Sequence, residues 1–321
     1  MLDLVFWMFI FIVSIFVLIK ASDYFTISAE KIGIFLGIPS FIVGVTIVSI
    51  GTSLPEIISS IIAVLKGSSE IVVGNVVGSN IANIFLIIGV SAVVADKLKA
   101  SYEVVKVDLP FLISTAFLLT ITVWDQKFTF GEGILSIAAF IIYILYTLST
   151  REKQKSKEVE KDIEKDIAKY KRRMKAKPFI ILAVSSLFIY IGAKYTIESV
   201  IQLSPLLNIG TEVIAITAVA FGTSLPELMV SVSAARKGNT EIAIGNVIGS
   251  NIFNATAVMG VPSMFGALII PSSIISFALP LMLIATFIYL FMVQDKEITT
   301  WEGMLLIVFY VFFIGKIISV L

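Results

Sequence analysis

Two carboxylates stand in sequence too apolar to hold them idly. Glu56 ends the hexapeptide Gly51-Thr52-Ser53-Leu54-Pro55-Glu56, and Glu227 ends an identical hexapeptide that begins at Gly222, 171 residues later. A second polar motif follows each, at residues 74–83 and 245–254. Aligned without a gap, residues 51–83 and 222–254 agree at 20 of 33 positions, so one unit is used twice. A carboxylate near the centre of a bilayer costs roughly 2.5 to 3.5 kcal/mol even on lenient insertion scales, which makes each glutamate a functional candidate.

The groups around these carboxylates offer oxygen alone. Thr52 and Ser53 precede Glu56, and Thr223 and Ser224 precede Glu227. Pro55 lacks an N–H and clashes with the carbonyl of Gly51, so the helix is expected to break across 51–55; Pro226 and Gly222 repeat the device. Backbone carbonyls freed inside a membrane persist only where protein or a water-filled cavity satisfies them, and in transporters such half-helix ends coordinate cations. Ser49 and Ala220, just before the breaks, are candidate carbonyl donors. Asn75, Ser79 and Asn83 are spaced i, i+4, i+8 and share one helical stripe, as do Asn246, Ser250 and Asn254. Gly74 with Gly78, and Gly245 with Gly249, allow close helix approach.

The chain has no cysteine and no histidine, which removes disulfides, thiolate sites and imidazole ligands or bases. An all-oxygen set suits a hard cation such as Ca²⁺, which takes about six to eight oxygens, and Na⁺ fits the same atoms. Two carboxylates are neutralised by one Ca²⁺ or by two Na⁺, the equivalence a shared-site exchanger needs. No cofactor is expected beyond the transported ions.

The elements that must position these groups are apolar runs near residues 4–22, 38–65, 70–95, 107–124 and 131–149, then 178–200, 211–235, 241–267, 272–293 and 300–320. With 321 residues, 58% hydrophobic, 15% charged and a mean hydropathy of +1.01, the chain reads as an all-α polytopic membrane protein. Five crossings per repeat are odd in number, so ten transmembrane helices would form two inverted-topology five-helix repeats, residues 1–150 and 178–321, with a site between them. The first run follows Asp3 rather than a basic segment and reads as a mature helix, not a signal peptide.

Connections after runs one, three, five, seven and nine hold 20 of the 24 basic residues, which places both termini outside and residues 151–177 in the cytoplasm. That linker carries twelve basic and six acidic residues. It is either a solvated tether or a short amphipathic helix on the inner leaflet.

At these motifs the sequence resembles the sodium/calcium exchanger family of the cation/Ca²⁺ exchanger superfamily, in a form with a short central loop. The resemblance covers essentially the whole chain. It implies antiport of Na⁺ against Ca²⁺ at the cell membrane by alternating access, with helices two, three, seven and eight around the ions and helices one and six sliding across them. It implies that Glu56 and Glu227 are the shared Ca²⁺ and Na⁺ carboxylates, that Thr52, Ser53, Thr223, Ser224, Ser79 and Ser250 complete the sites, and that Asn83 and Asn254 line the centre. Some relatives, notably potassium-dependent and some archaeal members, carry aspartate at the Asn254 position, so this chain departs from them and resembles the potassium-independent animal type there. With asparagine there the charge count favours K⁺-independent exchange, and the three Na⁺ per Ca²⁺ that the resemblance implies would make it electrogenic.

A Ca²⁺/H⁺ exchanger using the same glutamates is the nearest alternative. A channel fits an internal inverted repeat poorly, and an intramembrane hydrolase built on Ser53 or Ser224 lacks a base, so a transporter is expected rather than an enzyme. Nothing points to nucleic acid or a protein partner; Ca²⁺, Na⁺ and the bilayer are the expected ones. Asn75, Asn80, Asn246 and Asn251 read as amide links between helices, Glu70 and Glu241 as helix caps, Glu132 and Glu302 as interfacial residues, and Lys194 with Glu198 as an i, i+4 pair.

Overall fold

The computed structural model describes residues 2–35, 49–100, 108–152 and 176–318, so most of the charged linker lies outside the described residues. Among these, seven helices are long and apolar enough to cross a bilayer, and Thr211–Thr223 with Leu225–Arg236, bent by 41°, makes an eighth. Leu54–Leu65 and Leu109–Thr122 are shorter apolar helices.

The helices sort into a centre and a periphery. Of the most apolar stretches of Glu70–Val94 and Ile242–Ser263, 94% and 89% are buried, against 17% for both Leu2–Ala29 and Thr300–Ile317. The two central helices carry the Asn and Ser motifs, so protein rather than hydrocarbon surrounds those polar groups. Peripheral helices present Phe9, Phe16, Trp301 and Val308 outward, the pattern of a lipid-facing surface.

The first helix runs over Leu2–Phe35, well past the end of its apolar run. Lys20 and Asp23 interrupt the hydropathy without interrupting the helix, pairing at 3.4 Å one turn apart. It packs along Lys177–Leu207, where Thr196 Oγ1 donates to Ser14 Oγ at 3.0 Å.

The repeat extends beyond the motifs. Two antiparallel ribbons each join a connection from one half to a connection from the other: Lys97–Lys99 with Glu297–Thr299, and Lys127–Phe128 with Leu268–Ile269. Their inward residues Leu98, Ile298, Phe128 and Leu268 are fully buried. Thr129 with Glu132 and Thr299 with Glu302 cap the last helix of each half; in both, the glutamate accepts from the threonine N–H and hydroxyl. These glutamates are therefore caps. Each of these last helices is clasped to the central helix of the opposite half: a methyl added to Gly89 would lie 2.8 Å from the Gly303 carbonyl, and one added to Gly260 would lie 2.8 Å from that of Gly133.

One other expectation is corrected. Glu198 pairs with Lys66 at 2.6 Å rather than with Lys194, whose ammonium lies 5.7 Å from the centre of the Tyr195 ring. Glu70 accepts from Thr211 Oγ1 at 2.6 Å, so at its helix start it also links the two halves.

Candidate functional site

The prolines interrupt the helices where the sequence requires. One helix stops at Thr52 and resumes at Leu54, and its counterpart stops at Thr223 and resumes at Leu225. Ser53 (φ −89°, ψ 12°) and Ser224 (φ −82°, ψ 2°) are the hinges. Pro55 and Pro226 sit in the first turn of the resumed helix, where a missing N–H costs nothing. Glu56 and Glu227 follow in that same turn, so each carboxylate faces the positive end of a helix dipole.

Both glutamates are buried, at 0% and 1% exposure, and are close enough to repel each other. Each faces the break hydroxyls of the opposite repeat rather than those beside it in its own motif. Ser53 Oγ donates to Glu227 Oε1 at 2.9 Å, and Thr52 also approaches this carboxylate. Ser250 Oγ reaches the same Oε1 at 3.3 Å, its oxygen 3.2 Å from that of Ser53. Thr223 and Ser224 face Glu56 without closing a well-formed hydrogen bond.

The central helices bring in the amides. Asn80 and Asn251 donate reciprocally to each other's backbone carbonyls at 3.3 and 3.4 Å, the inter-helix role expected of them. Asn83 Nδ2 donates to Asn251 Oδ1 at 2.8 Å. Asn75 accepts from Thr223, and Asn246 donates to the Glu227 carbonyl and to Ser231. Asn83 and Asn254 lie where each central helix widens into π-helical turns, Ala82–Ile88 and Asn254–Val258. Such turns shift the following side chains around the helix and concentrate at functional sites.

Ser49 falls in the short helix Ser49–Thr52, and Ala220 opens Ala220–Thr223. The Ala220 carbonyl accepts from the Ser224 N–H at 3.0 Å and from Thr223 Oγ1 at 3.4 Å.

Much of the assembled oxygen is unused. Among the described residues, both Glu56 oxygens, Glu227 Oε2, Ser79 Oγ, Ser224 Oγ, Asn83 Oδ1 and Asn254 Oδ1 have no hydrogen-bond partner, though all are buried. Buried polar atoms are ordinarily satisfied, and a pair of ionised carboxylates without a counter-charge is costlier still. A hard cation, which takes about six to eight oxygens, would relieve both deficits.

Sequence reasoning missed a participant. Ser231, which donates to the Ala243 carbonyl, is inconspicuous among apolar neighbours.

The model of the sodium/calcium exchanger protein family matches residues 6–149 and 177–318. Sodium/calcium exchanger MaX1 of Methanosarcina acetivorans is 39% identical over 95% of this chain and 96% of its own length. A solved structure of the sodium-calcium exchanger NCX_Mj, soaked with Na⁺ and Sr²⁺, superposes with a TM-score of 0.67 at 29% identity, covering 97% of this chain and 98% of that one. Human sodium/potassium/calcium exchanger 4 is 30% identical over 40% of this chain and 21% of its own.

Proposed function

The chain belongs to the sodium/calcium exchanger family, and on that premise we propose that it exchanges Na⁺ for Ca²⁺ across the membrane at a single shared site between its halves. The observation that carries the reading is the buried pair Glu56 and Glu227, set among unpartnered oxygens. A charge of −2 in a low-dielectric centre is balanced by one Ca²⁺ or two Na⁺, so the two cargoes compete for the same carboxylates. Thr52, Ser53, Ser79, Asn83, Thr223, Ser224, Ser250 and Asn254 complete the coordination, with the Ser49 and Ala220 carbonyls at the breaks.

The ten apolar segments cross the membrane as two inverted five-helix repeats, 1–150 and 178–321. The ribbons support this topology, since each joins two connections assigned to the same side: 97–99 with 297–299 inside, and 127–128 with 268–269 outside. Both termini are outside, and the linker 151–177 is cytoplasmic. Alternating access follows from helices one and six moving across the broken helices. With Asn254 uncharged, K⁺ is not required, and a load of three Na⁺ for one Ca²⁺ moves net charge.

The test is uptake of Ca²⁺ into vesicles containing the purified chain and loaded with Na⁺, in K⁺-free medium with a protonophore present. Uptake that follows the Na⁺ gradient and responds to an imposed voltage is the expected result. Uptake that ignores Na⁺ and follows a pH gradient only when the protonophore is omitted would assign Ca²⁺/H⁺ exchange instead, and uptake appearing only with K⁺ would overturn K⁺ independence.

A further inference from the structure

The first helix lies across both breaks and places different chemistry against each. A methyl group added to Gly51 would collide with Thr26 Oγ1 and stand 3.0 Å from its Cγ2. One added to Gly222 would meet Ile15, with Cδ1 at 2.7 Å and Cγ2 at 3.0 Å. Both residues belong to Leu2–Phe35, so one helix sets a hydroxyl against the first break and hydrocarbon against the second.

Thr26 is 9% exposed, and its hydroxyl has no hydrogen-bond partner among the described residues. Among the described residues most other buried helical threonines are not left so, Thr147 excepted. Thr115, Thr120, Thr122, Thr256 and Thr286 each return the hydroxyl proton to the carbonyl four residues earlier. Thr26 makes no such bond to Ser22, whose own hydroxyl also has no partner among the described residues. A buried hydroxyl with unused capacity is unfavourable unless something binds it. The repeat counterpart of Thr26, 171 residues on, is Ile197, which carries no oxygen.

We propose that Thr26 supplies a neutral oxygen ligand to the hard cation, Ca²⁺ or Na⁺, held at the first break, a ligand that the second break lacks. The proposal rests on the cation-site reading above. It also gives the first helix a stake in occupancy, because a ligand carried by that helix ties the bound cation to the helix's position.

The experiment is calorimetric titration of the purified full chain with Ca²⁺ and, separately, with Na⁺. Thr26→Val keeps the volume and removes the oxygen, and should weaken at least one cation about five-fold or more, the scale of one lost neutral ligand. Thr26→Ser keeps the oxygen and should stay within about two-fold of the parent, as should Ile15→Val at the second break. The chain has no native cysteine, so Thr26→Cys is a clean second variant; a thiol is a poor ligand for hard cations and should behave like valine even if valine folds badly.

Valine and cysteine variants that bind both ions like the parent would overturn the assignment, as would serine weakening binding as much as valine. Titration does not depend on transport. Absent Na⁺-driven uptake would sink the exchange reading while leaving the Thr26 result standing, and an unchanged valine variant would do the reverse.

Discussion

Glu227 has one oxygen held by Ser53 and Ser250, whereas Glu56, its repeat counterpart, has neither oxygen bonded among the described residues. The same contrast runs through the surroundings. Asn246 and Ser231 bond each other, while at their counterparts Asn75 Nδ2 and Ser60 Oγ have no partner among those residues. Hydrocarbon of Ile15 covers the second break, and the Thr26 hydroxyl, without a partner among the described residues, covers the first. At the glutamates and one turn beyond them, identical motifs have thus settled unequally among the described residues, the second half bonded where the first is not, although Ser224 Oγ and Asn254 in the second half also lack partners there. An exchanger needs its two faces to differ at any instant, and repeats packed in different states supply that difference without different chemistry.

The strongest way to break the comparison is to remove one charge at a time. Glu56→Gln and Glu227→Gln should each abolish Na⁺-driven Ca²⁺ uptake, because −1 against +2 leaves an uncompensated charge in a low-dielectric cavity. Thermal unfolding separates the halves. Glu56→Gln should leave stability unchanged or raised, since no well-formed hydrogen bond is lost, while Glu227→Gln weakens the bonds from Ser53 and Ser250 and should lower it. Near-normal uptake by either variant would remove both residues from the site.

Some of this inequality was legible in the chain and some was not. Pro55 and Pro226 announce their breaks because a missing N–H acts locally, and Glu56 and Glu227 announce themselves because charge in an apolar run is expensive whatever the fold. Pairing across the halves is different. Ser53 was expected beside Glu56, three residues away, and instead bonds Glu227, because the bend at each break turns the hydroxyls toward the opposite repeat. Lys66 reaching Glu198, and the π-helical turns at Asn83 and Asn254, likewise depend on which helices meet. Hydropathy also misjudged the first helix, since it reads polarity rather than hydrogen bonding and the helix continues through Lys20 and Asp23.

A second test adds charge. Asn254 has both amide atoms unpartnered among the described residues, whereas Asn83 donates to Asn251. Asn254→Asp should therefore be tolerated structurally and raise the site to −3, making exchange sensitive to pH or K⁺, with apparent affinities shifting about ten-fold, roughly 1.4 kcal/mol. Asn83→Asp sets a carboxylate against Asn251 Oδ1 and should cost about 2 kcal/mol of stability instead. Exchange by Asn254→Asp that matches the parent at every pH and K⁺ concentration would mean the asparagine does not face the ions.

Hydroxyl deletions sharpen the comparison further. Ser53→Ala removes a donor to a buried carboxylate and should lower stability by about 1.5 kcal/mol in thermal unfolding. Ser224→Ala, at the counterpart position, removes a hydroxyl with no partner among the described residues and should cost little, while weakening Ca²⁺ binding if that oxygen is a ligand. Equal destabilisation by the two would show that the halves are held alike in solution.

The smallest effect lies just beyond the glutamates, one helical turn along. Ser231 donates to the Ala243 carbonyl at 3.3 Å and accepts from Asn246 Nδ2 at 3.0 Å, so it ties a broken helix to a central one. Ser60 occupies the equivalent place, 1% exposed, and makes no such bond among the described residues. Interhelical hydrogen bonds within membranes average about 0.6 kcal/mol, so Ser231→Ala should destabilise by that order. Ser60→Ala, by contrast, discards a buried hydroxyl that has no partner among the described residues, and exchanging an unsatisfied polar group for an apolar one is neutral or stabilising. The sign of the difference is the readout: the two alanine variants should unfold on opposite sides of the parent or at least in that order. If Ser60→Ala proves the more damaging, the unsatisfied first half belongs to one conformation only, and its hydroxyls find partners in another.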